Sequence, residues 1–329
     1  MKVLACDVGG TKTLLMIAHV EGVKCTPLHE RSFASAAYHD FEVMLAEFID
    51  DLHEELWPVA GACLGVAGPV SGGHAMITNL PWDIDARLLS EHFDIPRVVL
   101  INDFQAIGYG IAGLREDQLV VLQTGAPDQH GVKALIGAGT GLGEGIMVWN
   151  GRHYQVQPTE GGHVDFAPVD AVQIELLQWL LKRQARVSYE NVVSGGGLAS
   201  IYDFLTEKHP ARQNAALTAA LKEGDRAATI ARFALESGDA LAGEAVDLFL
   251  RIYGAQAGNL ALTTLPYGGV YLAGGIAPKL ITRIQQGGFM DAFHDKEPMA
   301  ELMHRFPVKV IMEPRIGVIG AALRAAQTE

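Results

Sequence analysis

The sequence predicts a two-domain α/β fold. Three observations carry that expectation. At 329 residues the chain is too long for one ordinary domain and comfortable for two. Each half opens with short apolar runs around a glycine-rich turn, Gly9-Gly10 in the first and Gly139-Thr140-Gly141 in the second. Beyond Pro168 the apolar residues take up helical spacing. The two similar openings suggest a structural duplication, architectural rather than a close sequence repeat. There is no low-complexity linker, so the boundary is placed near Gly113. Residues 1–113 are expected to form a small α/β domain and residues 114–313 a larger one, with a last helix in 314–329 returning to the first.

The elements follow in order. Residues 2–6 read as a buried strand, 13–20 as a second and 25–33 as a third, with Gly9-Gly10 supplying the tight turn between the first two. Asp40 is placed to cap a helix reaching Trp57, because Phe41, Met44, Leu45, Phe48, Ile49, Leu52 and Leu56 recur near a helical period. Residues 59–66 and 74–78 read as strands, 84–92 as a helix capped by Asp83, 97–101 as a strand and 104–111 as a helix. In the second half, 133–137 and 145–149 read as strands around the second glycine turn. The strongest helices are expected at 169–185, 197–208 and 239–265. Short strands at 269–272 and 308–312 and a helix at 317–326 complete the pattern.

Composition excludes several classes. The net charge of −13 argues against nucleic acid or an anionic membrane as the main partner, since phosphate-rich surfaces demand clustered Lys and Arg. With 49% hydrophobic and 19% charged residues the chain has a sizeable core to bury. Cys6, Cys25 and Cys63 show no C-x-x-C spacing, so neither a disulfide framework nor a structural zinc site is expected, and Cys6 and Cys63 read as core thiols. No apolar run approaches the roughly 20 residues of a membrane span. The sequence enters a strand almost at once and ends Gln327-Thr328-Glu329, so a cytoplasmic protein without a leader or peroxisomal address is expected.

The chemistry-bearing residues lie in the turns. Cys6-Asp7-Val8-Gly9-Gly10-Thr11-Lys12-Thr13 and Ile136-Gly137-Ala138-Gly139-Thr140-Gly141-Leu142-Gly143 are two glycine-rich loops at corresponding places. Glycine lets backbone N–H groups approach phosphate, and Thr11 and Thr140 add donors. Neither loop has Walker A or G-x-G-x-x-G spacing. Asp7 would be repelled by phosphate unless a Mg²⁺ ion intervened, by way of water. Between the loops, an apolar run ends in Asn102-Asp103, where a strand meets a helix. Ligands gather at such carboxyl ends in open α/β sheets. Asp103 is either a cap for that helix or the acceptor that activates an attacking hydroxyl. In Glu160-Gly161-Gly162-His163, two side chains flank two glycines and can converge on one small ligand. Glu190 is either a first-turn helix acid or an acceptor for a hydroxyl. Together these features point to phosphoryl transfer from a nucleotide to a sugar.

These residues also carry a family likeness. Asp7-Val8-Gly9-Gly10-Thr11, Thr78-Asn79-Leu80-Pro81-Trp82, Ile101-Asn102-Asp103-Phe104, the 137–143 loop, Glu160-Gly161-Gly162-His163-Val164-Asp165-Phe166-Ala167-Pro168 and Ala273-Gly274-Gly275-Ile276 occur in order from residue 6 to the last helix. The set resembles the bacterial glucokinase family of the hexokinase/actin-like ATPase superfamily, and the 160–168 segment is its most specific piece. The resemblance implies a two-domain actin-like ATPase (ribonuclease H-like) fold with an inter-domain cleft. It implies phosphorylation of D-glucose by ATP with Mg²⁺, in a cytoplasmic homodimer. Carried over by position, Asp103 is the base, and Asn102, Asp103, Glu160, His163 and Glu190 bind the sugar. Cys6, Asp7, Val8, Gly9, Gly10, Thr11, Gly139 and Thr140 hold phosphates, while Gly274 and Gly275 lie by the adenosine.

The chain departs from the family pattern in two places. Lys12 stands where Asn is common after Gly-Gly-Thr, and Gly195-Gly196-Gly197 stands where Ser-Gly-Pro-Gly is common. The cysteine-rich zinc motif of the related repressor/open-reading-frame/kinase group is missing after His163, which favours the zinc-free glucokinase group. Two rival readings stand beside a glucose kinase. One is a kinase for fructose, mannose or an amino sugar. The other is a non-catalytic sugar- or ATP-binding regulator, for which a DNA-reading domain would be expected and is not found in this sequence. Either ATP or polyphosphate would suit the same loops.

Overall fold

The computed structural model describes residues 1–77 and 80–327. The chain divides into two compact units. The first comprises Met1–Gln118, Asn150–Pro158 and Glu313–Glu329, and the second Leu119–Trp149 and Thr159–Met312.

The first unit is built on strands β1 (Lys2–Val8), β2 (Lys12–Glu21), β3 (Lys24–Ala34), β4 (Ala62–Val66) and, after a small hairpin sheet of β5 (Val70–Ser71), β6 (His74–Met76) and β7 (Asp83–Asp85), β8 (Val98–Asn102). The main sheet runs β3-β2-β1-β4-β8. β1 is antiparallel to β2 and parallel to β4, and β4 is parallel to β8. Alternation along β1 buries both faces. Leu4, Cys6 and Val8 join Phe41, Phe48 and Trp82 on one side. Val3 and Ala5 join Val318, Ala321 and Ala322 of the C-terminal helix Ile316–Ala326 on the other. That pattern is what a sheet covered on both faces requires.

The second unit contains β9 (Leu119–Gln123), β10 (Lys133–Ala138), β11 (Leu142–Trp149), β13 (Gly269–Ala273) and β14 (Val308–Ile311), while most of β12 (Tyr154–Thr159) falls in the first unit's span. Neighbouring strands follow the order β11-β10-β13-β14-β9. β10 is antiparallel to β11 and parallel to β13, repeating the pattern of β1 with β2 and β4. The core is organised by the helix Ala240–Thr264, whose Phe249 and Tyr253 pack with Ile136, Leu272 and Val310. No helix among the described residues is long and apolar enough to cross a membrane.

Several elements differ from expectation for local reasons. The first long helix spans Phe41–Asp50, not to Trp57, although Asp40 caps it through Val43 N. Asp50, Asp51, Glu54 and Glu55 would load its C-terminal end with negative charge, which the helix dipole disfavours. The second helix is Ala86–His92, capped by Asp85 rather than Asp83, because Asp85 accepts from the Arg87 and Leu88 amides. The expected strand at 74–78 shortens to His74–Met76, and Thr78 lies outside the described residues. The 169–185 helix shortens to Ala171–Leu181. The helix Arg226–Glu236 and strands β9 and β12 were not anticipated.

Candidate functional site

In the first unit, β1, β4 and β8 are parallel and carry their carboxyl ends together, with Val8 level with Val66 and Val66 with Asn102. The Gly9–Thr11 turn leaves this edge. It is held by a buried hydroxyl: Ser35 Oγ donates to Gly9 O at 2.7 Å, Ser35 N donates to Thr11 O, and Ser35 Oγ lies 3.0 Å from Thr13 Oγ1. Gly9 must stay small because a Cβ would sit 2.9 Å from Lys12 O. Cys6 and Val8 turn their side chains into the core and bring none to the turn.

Asp7 is the one acidic residue on β1. Its carboxyl is pushed up to about 6, first by burial and then by the charge of Asp103, with Lys12 pulling the other way. Asp103 opens the helix Asp103–Gly110, but it is not the cap. Asn102 is: its Oδ1 accepts from Phe104 N at 2.9 Å, and Gln105 Oε1 accepts from Asn102 N at 3.1 Å. Asp103 Oδ1 lies 2.8 Å from Phe104 N. Gly65 on β4 makes room for this helix, since a Cβ there would approach Ala106 Cβ to 2.8 Å.

In the second unit the Gly139–Gly141 turn closes through Gly139 N donating to Gly141 O at 2.8 Å. Gly139 O accepts from Gly195 N, the first residue of the helix Gly195–Lys208, whose cap is Ser194. A cavity of about 520 Å³ opens here, lined among others by Thr140, Gly196, Ala228, Ala231, Gly275 and Lys279. Its walls are glycine backbone and apolar side chains with Thr140, Asp225 and Lys279 as the polar groups, a mostly apolar lining with few polar handles that suits a flat base. Gly274 has φ +79° and a Cβ there would meet Ala138 O at 2.3 Å, so the turn after β13 requires glycine. Gly139, Thr140 and Gly275 line the cavity and Gly274 shapes it.

The Glu160–His163 segment lies against β11. A Cβ on Gly162 would meet Leu142 O at 1.9 Å, and one on Gly161 would meet Glu144 Oε2 at 2.1 Å. Both glycines are therefore needed to bring the 3₁₀ turn Gly161–His163 onto the strand. His163 stands between two carboxylates, with Nε2 3.8 Å from Glu160 Oε2 and Nδ1 3.9 Å from Glu190 Oε1. Glu190 Oε2 accepts from Leu142 N at 2.9 Å, tying this cluster to the strand that leaves the glycine turn. Arg186 staples the segment from outside, donating to His163 O and to Asp165 Oδ1, each at 2.7 Å.

The structure thus gathers Asp7, the Gly9–Thr11 turn, Asn102 and Asp103 in the first unit. In the second it gathers Glu160, His163 and Glu190, and beside the cavity Gly139, Thr140, Gly274 and Gly275. Sequence reasoning missed Asp225, Ala227, Ala228 and Ala231 of the cavity wall, although Asp225 ahead of an alanine-rich run is a readable N-cap. It also missed Glu144, whose signal is its place two residues from Leu142 on the inward face of β11.

Comparisons with known proteins agree with this geometry. The sequence profile of the family described as Glucokinase matches residues 4–328. The chain is 40% identical over 338 residues to a glucokinase of Nostoc punctiforme, covering 98% of each sequence. It is 42% identical over 347 residues to a glucokinase of Synechocystis sp., covering 99% of this chain and 98% of the relative. Among solved structures, a glucokinase from an Antarctic psychrotroph superposes with a TM-score of 0.86 at 27% identity, covering 99% of both chains. A ROK family glucokinase from Streptomyces griseus, in complex with glucose and AMPPNP, shares the fold at a TM-score of 0.67 and 21% identity, covering 100% of both chains. The fold is the two-domain actin-like ATPase fold. With the profile matched almost end to end and relatives at this identity over the whole length, the chain belongs to the glucokinase family, whose reaction is ATP-dependent phosphorylation of glucose.

Proposed function

We propose that the phosphoryl group passes in line from ATP to the 6-hydroxyl of D-glucose, with Asp103 as the general base. The observation that carries the reading is the cluster of His163, Glu160 and Glu190, fastened through Leu142 N to the strand that leaves the Gly139–Gly141 turn. Each buried sugar hydroxyl needs an acceptor, and two carboxylates with an imidazole supply several within one small volume. The family likeness also assigns Asn102 to the sugar, although its Oδ1 is already engaged as a helix cap.

The nucleotide reading assigns the base and ribose to the cavity beside Gly275, Ala228 and Ala231, with phosphates toward Gly139 and Thr140. The Gly9–Thr11 turn offers amides for the transferring phosphoryl, and such preorganised donors stabilise charge as it develops. Asp103 accepts the hydroxyl proton as the new P–O bond forms, a role that positioned carboxylates fill in other phosphoryl transfers.

The donor set fits Mg²⁺. Among the described residues no group of three or more His, Cys, Asp or Glu converges to form a cage. Asp7 has its carboxyl pushed up to about 6 by burial and then by the charge of Asp103, against the pull of Lys12, so a further cation beside it would be favoured. Mg²⁺ characteristically takes one or two carboxylates, several waters and substrate phosphates. Asp7 would hold it through water, and the ion would neutralise charge on the nucleotide phosphates. Family likeness further supports a cytoplasmic homodimer serving glycolysis.

The test is a coupled assay for glucose 6-phosphate with glucose, ATP and Mg²⁺, run beside Asp103→Asn. Turnover in the parent chain that is lost in the variant is the expected result. An Asp103→Asn variant with full turnover would remove Asp103 from the role of base.

A further inference from the structure

Below the Glu160–His163 segment lies a buried polar chain that the reaction as described does not use. Glu144 points inward from β11 and is only 4% exposed. Its Oε1 accepts from Gln256 Nε2 at 2.8 Å. Gln256 Oε1 accepts from Asn259 Nδ2 at 3.1 Å, and the same amide donates to Tyr189 OH at 3.0 Å. Gln256 and Asn259 belong to the long helix Ala240–Thr264, and Tyr189 opens the turn that carries Glu190.

Both ends of this chain touch the sugar cluster. At one end Glu144 Oε2 lies against Gly161, where a Cβ would come within 2.1 Å. The backbone of Glu144 is tied to the same place, because Thr159 Oγ1 donates to Glu144 O at 3.2 Å and accepts from Gly161 N at 3.1 Å. At the other end Tyr189 N donates to Val164 O at 3.0 Å, just beyond His163. A hydrophobic core would fill this volume at lower risk, since a buried polar group left unpaired is costly. A continuous hydrogen-bonded chain restricts the two turns to one mutual arrangement, which apolar packing does not specify.

We propose that Glu144, Gln256, Asn259 and Tyr189 form a positioning relay that holds the Gly161–His163 turn and the Glu190 turn in one register for the sugar. Glu144 is its anchor and acts through the turns, without touching substrate. The inference rests on the reading that Glu160, His163 and Glu190 bind the sugar. It predicts a selective defect: small displacements of positioning groups can cost up to about a hundredfold in turnover efficiency.

The experiment compares Glu144→Ala, Glu144→Gln and Gln256→Leu with the parent chain, measuring KM for glucose, KM for ATP and kcat. Glu144→Ala and Gln256→Leu are expected to raise the glucose KM roughly tenfold, leaving the ATP KM within about twofold. Glu144→Gln keeps an acceptor for Gln256 and is expected to restore near-parental glucose use. Gln256→Leu carries the test if Glu144→Ala fails to fold. A glucose KM unchanged in folded variants, an ATP KM rising equally, or no rescue by Glu144→Gln overturns the relay. Glu160→Gln and His163→Ala are run alongside. If both leave glucose KM and kcat unchanged, the sugar reading itself fails. If they impair glucose use while the Glu144 and Gln256 variants do not, only the relay fails.

Discussion

Gly317 stands against the carboxylate of Asp7, so close that a Cβ at position 317 would lie 2.9 Å from Asp7 Oδ2. The first turn of the C-terminal helix therefore sets the position of the proposed metal-side carboxylate. Gly317→Ala must displace the Asp7 carboxylate, the end of a side chain that can turn away, so the fold is expected to survive while Asp7 moves. The expected outcome is a lower kcat and a higher Mg²⁺ concentration for half-maximal turnover, with glucose KM little changed. A Mg²⁺ titration of turnover checks it, and an unaltered Mg²⁺ requirement in a folded variant would count against Asp7 as the carboxylate that serves the ion.

Asp103→Asn tests two things at once. Loss of the base should lower kcat by about 10²–10⁴ while glucose still binds. The charge of Asp103 is also one of the causes that push Asp7 up to about 6, after burial. Neutralising it lets the Asp7 pKa fall back toward its ordinary 3.8. NMR titration of the Asp7 carboxyl in parent and variant checks the coupling. An unmoved Asp7 titration would show that Asp103 does not contribute and that burial and Lys12 set its acidity.

The cavity wall yields a prediction for the nucleotide. Ala231 lies on the helix Arg226–Glu236 and is half-buried at the cavity surface. Ala231→Phe projects a ring into the space assigned to the nucleoside. The ATP KM is expected to rise about tenfold or more, since the lost binding energy falls on one substrate, with glucose KM nearly unchanged. Equal defects for both substrates would argue that the cavity does not hold the nucleotide.

Much of this site was legible in the sequence because its geometry depends on glycine. Gly9, Gly162 and Gly274 each sit where a Cβ would collide with backbone oxygen, so the motif residues announce the turns they make. The strands were legible for a related reason: β1 alternates between two buried faces, which leaves a nearly unbroken apolar run. What escaped notice depends on long-range packing. Glu144 looks like an ordinary strand residue until Gln256, more than a hundred positions later, is seen donating to it. The Arg226–Glu236 helix escaped because alanines and charges dominate its sequence, and its buried face rests on only Thr229, Ile230 and Phe233. Asn102 was read for its chemistry, whereas β8 ends there and the next helix takes its side chain as a cap.

Glu144 offers a last prediction, because its burial raises its pKa from 4.5 to about 7, a shift only partly offset by the hydrogen bond from Gln256. The folded protein therefore holds a proton that the unfolded chain has released. That contribution to stability is complete below pH 4.5 and is lost as pH rises to about 7. A shift of this size corresponds to a change on the order of 3 kcal/mol. Asp7 gives a decline of the same sign between 3.8 and about 6, but it is present in both proteins and cancels in the comparison. Glu144→Gln cannot ionise, so its stability should fall less steeply across the interval from pH 4.5 to 7. Urea denaturation of parent and variant across that range measures the difference directly. Parallel curves would mean that Glu144 is already ionised at low pH, and that its carboxylate is better solvated or better paired than its place beneath Gly161 implies.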